Sequence, residues 1–263
     1  MNLAVFTRTI RENRKALFWW GLGLAVYVLI NIAFYPDFKD QTSFNELLKS
    51  DAVKAFSGNV TSFTSPEGYL NAQIFALVAP ILLIIYAVGR GTDAVAGEEG
   101  RGTLPLLLAN PVRREAVVLQ KFAAMAVTTA FLALIHFAVL ATFAPSFELH
   151  IGLANQAAMG TSLFLLALAF GGVGFLLGAA TSNRSLATGV SVTLATGTYL
   201  LFNLAPLVDA IEPFQKFSPF YYYFQNDPLT NGLDLWHAAA LAGTALVCLG
   251  LSVLAFRRRD VTA

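Results

Sequence analysis

The chain contains six predominantly apolar segments, and each is long enough to cross a lipid bilayer. A helix that spans the hydrocarbon core needs about 20 such residues in succession. The segments cover residues 17–36, 69–89, 117–143, 157–180, 186–207 and 236–256. Hydrophobic residues make up 56% of the sequence and charged residues only 13%, whereas soluble domains are about half apolar and about a quarter charged. We therefore expect an all-α integral membrane protein with six transmembrane helices.

The basic residues divide unequally between the two sides that these spans define. Six spans place both termini on one side, and of the 17 lysines and arginines only Lys39, Lys49, Lys54 and Lys216 fall on the other side. Lys and Arg are retained on the cytoplasmic face of a membrane. The sequence thus predicts a multi-pass plasma-membrane protein with both termini in the cytoplasm. Because the basic residues serve this orientation and the net charge is only +1, nucleic acid is not an expected partner.

Three segments outside the spans carry patterns of their own. Residues 1–16 place apolar side chains at helical spacing between basic ones, which is typical of a helix lying in the membrane interface; a simple basic anchor is the alternative. The outer loop 37–68 contains Ser43 and Glu46 at capping-box spacing, which predicts a short helix ending near Gly58. The outer loop 207–235 is rich in aromatic residues and predicts an aromatic belt at the membrane boundary, with a short re-entrant element or an external gate as the alternative.

Within the spans, proline and small residues indicate where helices bend and touch. Pro80, near the centre of span two, predicts a kink. In lipid, stripes of small residues mark contacts between helices. Such stripes are Gly171, Gly172, Gly174 and Gly178 in span four and Ser185, Gly189, Thr193 and Gly197 in span five. These stripes serve packing within one bundle, or they form either a dimer seam or a lining along which helices slide. Our candidates for a translocation path or dimer seam are Gln73, Tyr86, Gly189, Thr193, Thr196, Gly197 and Asn203.

The sequence lacks the motifs of an ATPase or a metal site. It contains no Gly-Lys dipeptide with which a phosphate-binding loop could be built, and its three histidines are far apart, without the spacing of metal ligands. Away from their ends, the spans also lack the charged residues that ion-driven transporters carry. We therefore expect no catalytic residue, metal or cofactor in this chain, and an energy source outside it.

The polar connection after span two, residues 90–116, carries the most specific motif. From Ala96 to Arg114 it contains two adjacent glutamates, then Gly-Thr-Leu, a run of leucines, a proline and two arginines. This order resembles the cytoplasmic connection after the second span in the membrane subunits of type-2 ABC exporters. The layout of the chain, with an N-terminal interfacial helix and six spans, is similar to that family too.

The resemblance implies that this connection forms a cytoplasmic coupling helix, which binds in a groove of a separate ABC ATPase subunit. It implies two membrane halves, as a homodimer or a pair of related permeases, with ATP and Mg²⁺ bound by the partner subunit. The coupling residues it assigns are Glu98, Glu99, Arg101, Gly102, Thr103, Leu104, Leu107, Leu108 and Pro111. Thr103 can cap such a helix, the glutamates offer negative charge near its positive end, and the leucines form an apolar knob. Pro105 departs from the family pattern but is tolerated near a helix start.

The function that the resemblance implies is that of a permease in an ATP-driven exporter. It would move a hydrophobic or amphipathic compound, such as a drug, antibiotic or lipid, through a cavity between spans two and five. One alternative keeps the ABC architecture in a non-export role, such as lipid handling or periplasmic maturation. A secondary carrier or channel is disfavoured by the missing membrane charges, and a membrane-embedded enzyme by the missing catalytic cluster.

The charge distribution predicts that residues 90–116 face the cytoplasm. Single cysteines introduced by Arg101→Cys or Arg113→Cys, in a Cys248→Ala background, should react with a membrane-impermeant thiol reagent only from the cytoplasmic side. Labelling from the outside of intact cells would contradict the predicted orientation.

Overall fold

The computed structural model describes residues 3–39, 62, 64–108 and 113–258. Six of the helices among these residues are long and apolar enough to cross a membrane, which confirms the predicted all-α fold with six spans. In chain order the helices are α1 (Ala4–Lys39), α2 (Pro66–Gly100), α3 (Thr103–Leu108), α4 (Arg114–Phe143), α5 (Leu153–Thr181), α6 (Arg184–Leu204), α7 (Pro219–Phe224), α8 (Pro228–Asn231) and α9 (Leu235–Arg258).

The beginning of α1 and the end of α9 lie at the same end of the helical bundle. The backbone amide of Phe6 donates to Oε1 of Gln120 at 3.1 Å, and Arg257 lies 3.2 Å from Glu115. These contacts bring the starts of α1 and α4 together with the end of α9. We call this end the inner end, and it also carries the connection from α2 to α4; the opposite end is the outer end.

The segment predicted as an interfacial helix is the beginning of α1. Helix α1 is continuous over 36 residues, and at about 1.5 Å per residue it is about 54 Å long. Because the hydrocarbon core is only about 30 Å thick, α1 extends beyond the core. Residues 4–16 are therefore helical, as expected, but they continue span one without a break. A position in the plane of the membrane interface stays a prediction.

Helix α5 is the most deeply buried span, and glycines bring α2 close to it. A Cβ atom built on Gly91 would lie 2.3 Å from the carbonyl oxygen of Gly171. A Cβ on Gly174 would lie 3.1 Å from Cγ2 of Thr92, and one on Gly178 would lie 3.2 Å from the Thr92 carbonyl oxygen. The small residues of span four thus serve packing within one bundle, because they allow two backbones to approach closely.

Helix α2 departs from regular geometry where Pro80 predicts a kink. Residues Asn71–Phe75 form a wide π-helical turn, and Leu77 has φ −137° and ψ −59°. The ring of a proline collides with the carbonyl group four residues earlier, which is that of Ala76, and proline has no amide to bind it. The irregular turn therefore lies where Pro80 creates the conflict.

Two tyrosines satisfy carbonyl groups of this irregular turn. The hydroxyl of Tyr27 in α1 donates to the carbonyl of Gln73 at 2.6 Å. The hydroxyl of Tyr223 in α7 donates to the carbonyl of Phe75 at 3.0 Å. Since a carbonyl without a partner is costly in a membrane, these bonds stabilise the turn and hold α2 to α1 and α7.

The aromatic segment of the last outer connection does not form the predicted aromatic belt. Its residues 219–224 form α7, in which Phe220, Tyr223 and Phe224 are buried in the main apolar core. The prediction was wrong for these three rings because the short helix inserts between the spans. The helix predicted in the first outer loop, residues 43–58, lies outside the described residues.

The close approach of α2 and α5 predicts a position-specific effect of added volume. Gly91→Ala should lower the stability of the protein by about 1–3 kcal/mol, because its methyl group meets backbone atoms of α5. Gly89→Ala is the matched control, since a Cβ there meets no atom of the described residues within 4 Å. Thermal unfolding in detergent should separate the two variants, and equal midpoints would contradict the packing.

Candidate functional site

Three arginines surround the carboxylate of Asp93 at the inner end. Arg101 donates two hydrogen bonds, from Nη1 to Oδ1 at 2.8 Å and from Nη2 to Oδ2 at 3.2 Å. Nη1 of Arg184 lies 3.3 Å from Oδ1, and Nη2 of Arg90 lies 3.9 Å from Oδ2. The hydrogen bond to Asp93 raises the pKa of the Arg101 guanidinium above its ordinary value. One carboxylate thus joins α2, the turn that follows it and the start of α6.

The backbone near Asp93 leaves room for its carboxylate. Residues Asp93–Gly97 form a second π-helical turn of α2. A Cβ atom on Gly97 would lie 2.1 Å from Oδ1 of Asp93, so any side chain there would displace the carboxylate from Arg101. Single π-helical turns inside α-helices occur frequently at functional sites, which makes this turn a candidate functional element.

Lys121 is a buried charged residue, with only 1% of its surface exposed. Its ammonium group pairs with the carboxylate of Glu98 and donates to the carbonyl of Ala94 at 2.8 Å. A buried charge is stable only when it is paired and hydrogen bonded. This pair therefore ties α4 to the last turns of α2, and it directs Glu98 toward α4.

A glycine turn and a buried leucine hold α3 against the bundle. Gly102 has φ +67°, in the left-handed region that favours glycine, and it turns the chain between α2 and α3. The hydroxyl of Thr103 donates to the carbonyl of Glu98 at 3.0 Å. Leu104 is fully buried in an apolar cluster with Val118 and Phe175. Leu104 therefore anchors α3 to the bundle, and its predicted part in the leucine knob stays a prediction.

The other predicted coupling residues differ in position. Arg101 and Gly102 are exposed, whereas Glu99 is partly exposed. Leu107 is partly buried and packs against the cluster that contains Leu104. The side chain of Leu108 and the whole of Pro111 lie outside the described residues. A role in binding an ATPase stays a prediction for all of them.

An apolar groove of about 340 Å³ lies between α2 and α6, which are spans two and five. Phe220 of α7 lines its outer end, and its ring forms a T-shaped contact with the Tyr199 ring, with ring centroids 5.3 Å apart. Thr196 and Tyr199 are the lining residues that carry a hydroxyl group. The lining residues are Leu77, Ile81, Ile84, Ile85, Val88, Val192, Ala195, Thr196, Tyr199 and Phe220. An apolar site with a few polar groups suits a small amphipathic ligand.

The groove brings together only part of the predicted translocation path. Thr196 lines it, while Gly189, Thr193 and Gly197 are exposed on α6. A Cβ atom on Gly189 or Gly197 would meet no described atom within 4 Å, so these two glycines do not serve packing against the described part of the chain.

The three remaining path candidates, Gln73, Tyr86 and Asn203, lie elsewhere. Tyr86 is buried against Trp20 of α1, with ring centroids 5.7 Å apart. Gln73 is exposed on the first π-helical turn. Asn203 is buried and donates to the carbonyl of Tyr199 at 2.9 Å. The described structure therefore does not place these three residues in the groove wall.

Sequence reasoning assigned Arg101 to the coupling helix but missed its neighbours Asp93 and Arg184 at the inner end. Arg90, Asp93, Gly97 and Arg101 are spaced three or four residues apart, so they share one face of a helix. This spacing was a usable signal for the charge cluster. Arg184 had no such local signal, because it reaches Asp93 from a different span.

A comparison with protein-family models gives one match, described as ABC-2 family transporter protein, over residues 3–261. The match covers all six spans, so it is not limited to the short motif between α2 and α4. A search of curated proteins found no match.

The buried Lys121 predicts a non-additive effect in a double-mutant cycle. Glu98→Met should destabilise the protein by about 3–5 kcal/mol, because it leaves the buried ammonium group without a counter-charge. The double variant Glu98→Met/Lys121→Met should be more stable than Glu98→Met alone, since both charges are removed. Thermal unfolding in detergent measures both, and a double variant that is less stable would show that the pair does not act as a unit.

Proposed function

The chain belongs to the ABC-2 family of transporter proteins, and we propose that it is the permease subunit of an ATP-driven exporter. The observation that carries this proposal is the connection between the apolar groove and α3. Helix α2 forms one wall of the groove and ends at the turn before α3. A displacement of α3 therefore reaches the groove through a single continuous helix.

The energy source in this proposal is a separate cytoplasmic ABC ATPase, which binds ATP and Mg²⁺. Glu99, Leu107, Leu108 and Pro111, with the turn at Arg101 and Gly102, form the docking surface. Glu98, Thr103 and Leu104 bind α3 to α2 and to the apolar core. Because of these contacts, a push by the ATPase moves the ends of α2 and α4 and is not absorbed by a flexible loop.

The substrate class follows from the lining of the groove. Nearly all of its lining side chains are aliphatic or aromatic, and Thr196 and Tyr199 supply hydroxyl groups. A molecule with an apolar body and one or two hydrogen-bonding groups fits this chemistry. We therefore assign hydrophobic or amphipathic compounds, such as a drug, an antibiotic or a lipid, to the groove.

A second permease half is the proposed neighbour of the exposed face of α6. Gly189, Thr193 and Gly197 lie on one side of this helix, and small residues allow backbones to approach closely in lipid. A face of this kind suits a helix of the same protein or of a related permease. The transporter then consists of two permease halves and two ATPase subunits.

Purification of the chain together with an ABC ATPase, followed by reconstitution in proteoliposomes, tests the proposed function. ATP should drive uptake of fluorescent amphipathic dyes into vesicles whose ATPase subunits face outward. Leu107→Asp/Leu108→Asp should reduce this uptake at least about tenfold, because charged groups replace the apolar docking surface. Membrane insertion of the variant should be unchanged.

Leu3→Asp is the control for an added charge at the inner end, because Leu3 is an exposed leucine outside the coupling segment. It should retain the ATPase and ATP-driven uptake. Full activity of the Leu107→Asp/Leu108→Asp variant would remove the assignment of the coupling segment. Dye uptake at an equal rate without nucleotide would instead favour a secondary carrier.

A further inference from the structure

Below the apolar groove, polar contacts join α2 to α6. The hydroxyl of Thr188 in α6 donates to the hydroxyl of Thr92 in α2 at 3.2 Å. One residue further along α2, Asp93 meets Arg184 at 3.3 Å. We call these four residues, Thr92, Asp93, Arg184 and Thr188, the inner gate. Thr92 and Thr188 lie one helical turn closer to the inner end than the groove-lining residues Val88 and Val192.

We propose that Asp93 is a positioning residue that controls the inner gate by exchanging its contact with Arg184 in response to Arg101. The gate is closed when Arg184 binds Asp93, and it opens when Arg184 leaves. This inference deepens the proposed function, because it assigns the element that links α3 to access into the groove.

Competition for one oxygen atom makes the exchange possible. Nη1 of Arg101 and Nη1 of Arg184 approach the same Oδ1 of Asp93, at 2.8 and 3.3 Å. Two guanidinium groups on one oxygen repel each other, and each reduces the attraction left for the other. When Arg101 is close to Asp93, the ion pair between Asp93 and Arg184 is therefore weaker. When Arg101 withdraws, this ion pair becomes stronger.

The contact between Asp93 and Arg184 can break at a small cost. Arg101 keeps two hydrogen bonds to the carboxylate, so release of Arg184 leaves no unpaired buried charge. The Arg184 side chain is already 53% exposed and is solvated after release. Ion pairs with an exposed partner contribute little to stability, so this contact suits a reversible gate.

The position of Arg101 connects the gate to the coupling segment. Arg101 directly precedes Gly102 and α3, so it moves when α3 moves. Asp93 is held within the second π-helical turn, where Gly97 leaves space for its carboxylate. A movement of α3 relative to this turn therefore changes how Asp93 is shared between the two arginines.

Cysteine labelling tests the gate without an ATPase or a substrate. Val88 lines the groove next to the gate and is only 2% exposed. The reporter is Val88→Cys in a Cys248→Ala background, purified in nanodiscs and treated with a charged, water-soluble maleimide. Arg184→Gln should raise the labelling rate about two- to fivefold, the change expected from loss of one partly exposed ion pair.

Arg101→Gln gives the decisive comparison, because the proposal predicts the opposite sign for it. Removal of the competing guanidinium should lower the labelling rate about two- to fivefold. A merely structural role of both arginines predicts faster labelling in both variants. Arg257→Gln is the matched control, since Arg257 forms an exposed ion pair with Glu115 at 3.2 Å away from the groove; its labelling rate should not change.

A disulfide measurement gives a second reading in the same variants. Thr92→Cys/Thr188→Cys, again with Cys248→Ala, should cross-link under mild oxidation, because the two hydroxyl groups are in contact. Cross-linking should be slower with Arg184→Gln and faster with Arg101→Gln. Changes of the same sign in both variants, or no change, would overturn the proposal.

Loss of ATP-driven transport in the Leu107→Asp/Leu108→Asp variant is a separate result. Failure of the proposed function and failure of the proposed gate are therefore recognised independently.

Discussion

Helix α2 crosses a region without water. Wherever it departs from regular geometry, another part of the protein must therefore supply hydrogen-bond partners for its unpaired backbone groups. Around Pro80 the hydroxyls of Tyr27 and Tyr223 bind two of its carbonyl groups. Further inward, the close approach of Gly91 to α5 fixes the helix along a second side. At the inner end, by contrast, the contacts of α2 are ion pairs, several of them with partly exposed partners.

The inner end combines ion pairs of two kinds. The ammonium of Lys121 is buried and paired with Glu98, and removal of one partner from such a pair costs several kcal/mol. Arg184 is half exposed and shares its carboxylate with Arg101, so its separation costs much less. In the gate that we propose, α2 and α4 therefore move as one unit, and α6 separates from them.

Hydropathy was sufficient to predict the spans, because the thickness of the bilayer permits only a narrow range of apolar lengths. The distortion before Pro80 could also be predicted, because proline lacks an amide hydrogen. The direction in which a single side chain points could not be predicted from the sequence. Glu98 and Glu99 are adjacent and chemically alike, yet the rotation of α2 against α5 turns Glu98 toward Lys121. Likewise, Tyr223 belongs to an aromatic run that suits a surface belt, and its burial depends on the insertion of α7.

The exposed glycines of α6 have an energetic consequence. At Gly189 and Gly197 the backbone of the helix is not covered by a side chain. Mobile lipid tails pack poorly into such shallow depressions, so the helix makes fewer dispersion contacts along this stripe. Any rigid surface with a matching ridge recovers this energy upon contact. Which surface binds to this stripe therefore depends on shape complementarity. Hydrophobicity contributes little, because the surrounding lipid is equally apolar.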